Sequence, residues 1–94
     1  MSYALAIAPE AEQDLAHLID SLPAKRRGAA LDAVLAELEK LAANPSLAVK
    51  SKLGRPTYRI SFIVDRVRYY WAAIFKFALD ERTIVITQLY RVAL

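Results

Sequence analysis

Six cations crowd one stretch of this 94-residue chain: Lys50, Lys52, Arg55, Arg59, Arg66 and Arg68 fall within 19 residues, with Asp65 the only acid among them. The residues between them are largely β-branched and aromatic, so Thr57–Val64 and Val67–Ile74 read as two strands. The polar pair Asp65–Arg66 marks a tight turn between them, although it lacks the glycine that a two-residue hairpin turn prefers. Period-two alternation sets Tyr58, Ile60, Phe62 and Val64 on one face of the first strand, and Arg59, Ser61 and Ile63 on the other. On the second strand Arg68, Tyr70 and Ala72 share a face opposite Val67, Tyr69 and Trp71. Each strand therefore projects an arginine from a row that its large apolar residues leave open. Guanidinium groups suit phosphate there, because their planar donors grip two oxygens and their charge persists at any working pH. They equally suit a solvated sheet edge that charge keeps soluble.

Other chemistries are bounded by composition. There is no Cys and one His, which excludes disulfides, thiolate metal sites and multi-histidine sites, so neither a metal nor a cofactor is expected. His17 falls on the polar side of a helical pattern with no nameable partner, which fits an exposed helix histidine better than a catalytic imidazole. Residues 1–45 carry 4 basic and 7 acidic side chains, whereas residues 46–94 carry 9 basic and 3 acidic. A basic second half points to an anionic partner, nucleic acid being the commonest. At 56% hydrophobic and 24% charged residues, the chain has the balance of one folded domain, residues 1–94. No run reaches the length of a membrane span, and the N-terminus lacks the basic flank and cleavage pattern of a secretory signal. The expected setting is cytoplasmic, without a membrane partner.

The remaining elements must position the basic hairpin. Ser2–Ala8 reads as a strand ended by Pro9. Pro9 followed by Glu10 and Glu12 has the form of a helix start, and Ala11, Leu15, Leu18, Ile19 and Leu22 recur at helical spacing. Pro23 opens a second helix whose apolar face is Leu31, Val34, Leu35, Leu38, Leu41 and Ala42, and Asn44-Pro45 stops it. So short a link makes the two helices an antiparallel hairpin. Ser46–Pro56 is a basic loop, Phe75–Ala78 prolongs the hairpin, Asp80-Glu81-Arg82 turns, and Thr83–Tyr90 is the last strand, followed by Arg91. The expected class is α+β in the order β-α-α-β-β-β, with the helical hairpin packed on one face of a mainly antiparallel four-stranded sheet.

That order, with these residues, resembles the RelE/ParE superfamily of toxins from bacterial type II toxin–antitoxin systems. The resemblance spans almost the whole chain: PEAEQDL in the first helix, Asn44-Pro45 at the end of the second, and Leu53-Gly54 through Pro56 to Tyr58-Arg59. It continues with Arg68, the aromatic Trp71 and the closing pair Tyr90-Arg91. Each piece is weak alone, and the ordered set is specific for the superfamily but not for a branch of it.

The resemblance implies a toxin, and most directly a metal-independent, ribosome-dependent mRNA interferase, an endoribonuclease that arrests growth. Carried over by position, Arg59 matches a basic residue on the first hairpin strand, Arg68 the central phosphate-binding arginine, and Arg91 the arginine after the last strand. Tyr90 stands where some members have lysine or histidine. Lys50, Lys52 and Arg55 are expected to contact flanking RNA phosphates. Ser61 occupies a position where RelE-type members often carry a second lysine, and the chain stops three residues after Arg91, without the segment in which some relatives place a catalytic tyrosine. The implied partners are a cognate antitoxin, the ribosome and mRNA. The alternatives within the superfamily are a ParE-type toxin that inhibits DNA gyrase and a relative with no retained nuclease activity.

Overall fold

The computed structural model describes residues 3–47, 49–50, 55–80 and 82–92. Strand β1 (Ala4–Ile7) leads into helix α1 (Pro9–Asp20) and helix α2 (Ala24–Ala43). A single 3₁₀ turn at Pro45–Leu47 and a two-residue strand β2 (Val49–Lys50) follow. The chain then forms β3 (Pro56–Val64), β4 (Val67–Phe77) and β5 (Thr83–Arg91). The sheet order is β1-β5-β4-β3-β2, antiparallel throughout except for β1, which runs parallel to β5. The α+β class and the element order agree with the sequence. The added strand β2 pairs Val49 with Thr57 and Lys50 with Pro56 inside the segment expected to be loop. Two residues without hydrophobic alternation give no sequence signal for such an edge.

The two helices cover one face of the sheet, α1 against β5 and α2 against β3. Ala11 and Leu22 are buried at the two ends of the first apolar stripe, while Leu15, Leu18 and Ile19 are half-buried against the core. Val34, Leu38 and Leu41 are fully buried on α2. The sheet answers with Ile60, Phe62 and Val64 on β3, Trp71, Ala73 and Phe75 on β4, and Ile84, Ile86 and Leu89 on β5. Phe62 meets Trp71 edge to face at 5.0 Å between ring centres, a geometry that aromatic quadrupoles favour.

Polar contacts fix the ends of these elements. Neither helix has a side-chain N-cap, and α1 begins with Pro9 at its first position and acids in its first turn. The carbonyls at its far end are taken by Arg27, whose Nε donates to Leu22 O and whose Nη2 donates to Asp20 O, each at 3.0 Å. The hairpin turn has positive φ at both central residues, 51° at Asp65 and 66° at Arg66, the conformation that matches strand twist even without glycine. Asp65 is held from α2 by Arg26, whose Nε lies 3.5 Å from Asp65 Oδ2, an ion pair and not a hydrogen bond. Arg26 Nη1 also donates to the Tyr69 hydroxyl at 3.1 Å, and that bond is the main reason its guanidinium is held more strongly protonated than usual. Further along, the Tyr58 hydroxyl donates to Glu37 Oε2 at 2.7 Å and ties β3 to α2. Burial first, and the Glu37 carboxylate second, push the Tyr58 phenol up to about 12.

Candidate nucleic-acid interface

With the helices on one side, the opposite side of the sheet is left uncovered by helix, and the even residues of β4 and the odd residues of β3 face it. Direct cross-strand pairs align them: Arg59 with Ala72, Ser61 with Tyr70, and Ile63 with Arg68. On the other flank of β4, Ala72 pairs with Tyr90. Arg59, Ala72 and Tyr90 thus form one transverse row across three strands, its ends separated by two strand spacings, roughly 10 Å. Ala72 is fully buried as the floor of that row, whereas Arg59 and Tyr90 are exposed. Tyr70 is 38% exposed and Tyr90 43%, which is high for large aromatics and leaves their ring faces available to stack on bases.

Arg68 is exposed, and its Nη1 donates to Ser61 Oγ at 2.8 Å across the β3–β4 pair. Asp65, the nearest acid in sequence, is engaged by Arg26, and no acidic side chain among the described residues lies within ion-pair distance of Arg68. Ser61 therefore orients the arginine without adding charge of its own. A neutral hydroxyl leaves the guanidinium its full charge and donors to spare for an anion.

Arg91 is placed differently. It is the last residue of β5, paired with Trp71, and it lies on the helix side, where its Nη2 donates to Ser21 Oγ at 3.1 Å. Ser21 Oγ in turn donates to Leu18 O at 2.6 Å at the end of α1. The two arginines nonetheless meet a common space. β5 ends at Arg91, so the stretch of β4 that runs past it presents a free edge, and a cleft of about 350 Å³ opens there. Arg68, Tyr69, Tyr70 and Trp71 line it from β4, Arg91 and Val92 from β5, and Ser21–Pro23 from the interhelical link. The indole Nε1 of Trp71 is buried without a hydrogen-bond acceptor among the described residues, an orphan donor in a residue that lines a cleft with two cations. Such an arrangement can accommodate an anion.

The remaining sequence candidates divide. Arg55 lies just before β3 and lines a second depression of about 470 Å³ with Glu10, Pro56, Ile74, Lys76 and Gln88, away from the Arg68 cleft. Of Lys50 only the backbone in β2 is described, and Lys52 lies outside the described residues. His17 is exposed near the end of α1. Among the described residues no cluster of His, Asp and Glu has the size to hold a metal ion, and no helix is long and apolar enough to cross a membrane. Two residues escaped the sequence reading. Lys76 stands in the same period-two row of β4 as Arg68 and Tyr70, a signal that was present. Ser21 carried no such signal, because only the tertiary fold brings the interhelical link to the end of β5.

Comparison of the sequence with protein-family profiles and with curated proteins finds no match. Solved structures do match. A double mutant of the E. coli toxin RelE in the free state superimposes with a TM-score of 0.60 at 13% identity, covering 97% of this chain and 84% of that one. A chain of the toxin–antitoxin complex RelBE2 from Mycobacterium tuberculosis gives a TM-score of 0.53 at 14% identity, covering 98% of this chain and all of the other. The two helices, the three long strands of the hairpin and its neighbour, and the parallel first strand make up a fold that this chain shares with the RelE toxins.

Proposed function

We propose that this protein is the toxin of a bacterial type II toxin–antitoxin system and acts as a metal-independent, ribosome-dependent mRNA interferase. The observation that carries this reading is the face of the sheet opposite the helices, where Arg59, Arg68, Tyr70 and Tyr90 stand exposed and no carboxylate among the described residues neutralises Arg68. The likeness to RelE supports the fold required, and the likeness to a chain of a toxin–antitoxin complex supports a cognate antitoxin as partner here.

Cleavage of RNA at such a surface is an in-line displacement. The 2′-oxygen bonds to phosphorus, the bond from phosphorus to the 5′-oxygen breaks, the 2′-hydroxyl loses a proton and the 5′-oxygen gains one. Charge grows on the phosphate oxygens, and positioned cations aimed at it are the largest stabilising term available. Arg68, oriented by Ser61, grips those oxygens, with Arg91 approaching the same cleft from the far side of β4. The Tyr90 phenol is the proton donor for the leaving oxygen, and Arg59 at the other end of its row binds the adjoining phosphate. Tyr70 stacks on a flanking base. The outward residues of this region, Arg59, Ser61, Ile63, Arg68, Tyr70, Ala72 and Tyr90, include no carboxylate or imidazole, so the 2′-proton passes to water. The ribosome supplies what the protein lacks by holding mRNA in the in-line geometry.

Expression without the antitoxin is expected to arrest growth, with co-expression of the neighbouring small open reading frame restoring it. Arg68→Ala is expected to abolish the arrest, and Arg68→Ala with Arg91→Ala to leave none. Full arrest by the double variant, or arrest accompanied by loss of gyrase supercoiling and intact mRNA, overturns the nuclease reading in favour of a gyrase-type toxin. No growth effect from the wild-type protein overturns the toxin reading as a whole.

A further inference from the structure

Strand β5 is not regular. Phe75 of β4 pairs with Ile86 and Ile74 pairs with Gln88, so Thr87 is an extra residue, a β-bulge. Its consequence is a change of side. Ile84 and Ile86 face the helices, and unbroken alternation would carry Gln88 and Tyr90 inward with them. Instead Leu89 is 4% exposed against the core, Gln88 is exposed, Tyr90 lies on the open face and Arg91 reaches Ser21 between the helices. One inserted residue exchanges the sides of the two side chains that end the strand.

The bulge is held from both flanks. Thr87 Oγ1 donates to Ile74 O at 3.1 Å on the β4 side. On the other flank β1 has already ended, its last contact being Ala8 N to Ile86 O at 2.9 Å. The bulge turns the Leu89 amide toward that vacated edge, where it would be left without a strand. It donates instead to Asp14 Oδ2 of α1 at 3.0 Å, a charge-assisted bond between residues 75 apart in sequence. Asp14 is partly buried and has no ion-pair partner among the described residues.

We infer that Asp14 is a positioning residue for the RNA site: by accepting the Leu89 amide it locks the Thr87 bulge and so sets Tyr90 on the open face and Arg91 in the cleft. The inference rests on the RNA-cleavage reading of those two residues, and its geometric half is testable without it.

Amide hydrogen exchange tests the geometry directly. Asp14→Ala is expected to speed exchange of the Leu89 amide at least tenfold while Ile84 and Ile86 stay protected, and Asp14→Asn, which keeps an acceptor oxygen, to hold the protection. The chain has no cysteine, so single reporters can be read by thiol labelling. In the Asp14 background Tyr90→Cys should label at least tenfold faster than Leu89→Cys, and Asp14→Ala should narrow that ratio below threefold. In ribosome-dependent mRNA cleavage, Asp14→Ala should lower turnover at least tenfold with mRNA affinity changed less than threefold, and Asp14→Asn should restore turnover. Unchanged Leu89 exchange in Asp14→Ala overturns the inference, as does joint loss of Leu89, Ile84 and Ile86 protection, which marks a general stability role. The expected exchange and labelling with undiminished cleavage also overturns it. The expected exchange pattern with no RNA cleavage by the wild-type protein removes the RNA reading alone and leaves the bulge lock standing.

Discussion

Arg68 and Tyr58 sit ten residues apart on one hairpin in opposite environments, which suit the phosphate contact proposed for Arg68 and a structural role for Tyr58. Arg68 is exposed, held by one neutral hydroxyl, so its removal costs little stability: Arg68→Ala is expected to change unfolding free energy by less than about 0.5 kcal/mol while mRNA cleavage is lost. Arg68→Lys should recover only part of the activity, since an ammonium cannot reproduce the planar two-oxygen grip. Tyr58, by contrast, is 7% exposed and bonded to Glu37. Its phenol is raised to about 12 from an ordinary 10, so the folded state prefers the protonated form more than the unfolded state does. That preference is fully present below pH 10 and is lost as pH rises from 10 through 12. Rising pH is therefore expected to destabilise the wild-type protein more than Tyr58→Phe across that window, read as the difference between the two pH profiles. Sequence alternation alone was enough to place both residues, because β3 and β4 are regular where they stand. It was not enough for Arg91. The bulge at Thr87 reverses the alternation, and the contact beside it, the Leu89 amide donating to Asp14 of α1, joins residues 75 apart in sequence that no local pattern links.

At the scale of elements, α2 does most of the work of closing the core. Val34, Leu38 and Leu41 are fully buried on consecutive turns over β3, so Leu38→Ala leaves a cavity and is expected to cost about 2–5 kcal/mol by urea titration. A cost below about half a kcal/mol would mean that the helix presents another face. Gly28 is a different case in the same helix. It is exposed, and a Cβ built there meets nothing within 4 Å, so Gly28→Ala is expected to stabilise by about 1 kcal/mol without changing activity. Both helices, their link and the three long strands were legible from apolar spacing and from proline at the boundaries. The two-residue β2 was not, because an edge pair of that length is chosen by its neighbour's free hydrogen-bonding groups, not by its own side chains. The turn at Asp65–Arg66 was placed correctly, while its left-handed backbone is sustained in part by the Arg26 anchor that no local pattern reveals.

Across the whole molecule, the charge asymmetry of the sequence becomes a division of labour. The acidic half folds into β1 and the two helices and supports one face of the sheet, while the basic half supplies the hairpin and its open face. On the proposed toxin reading, a cognate antitoxin has to meet that arrangement, and disordered segments that fold on binding suit an exposed apolar and basic surface. Co-purification with the product of the adjacent small reading frame should therefore block mRNA cleavage in proportion to complex formed, an outcome checked by titrating that product into the assay. The most direct test of the nuclease reading is cleavage of mRNA on programmed ribosomes by the purified protein, mapped by primer extension, with Arg68→Ala as control. Discrete cuts that require the ribosome, persist in chelator and vanish in Arg68→Ala are the expected result. Intact mRNA under those conditions, with DNA gyrase supercoiling inhibited by the same preparation, would contradict it.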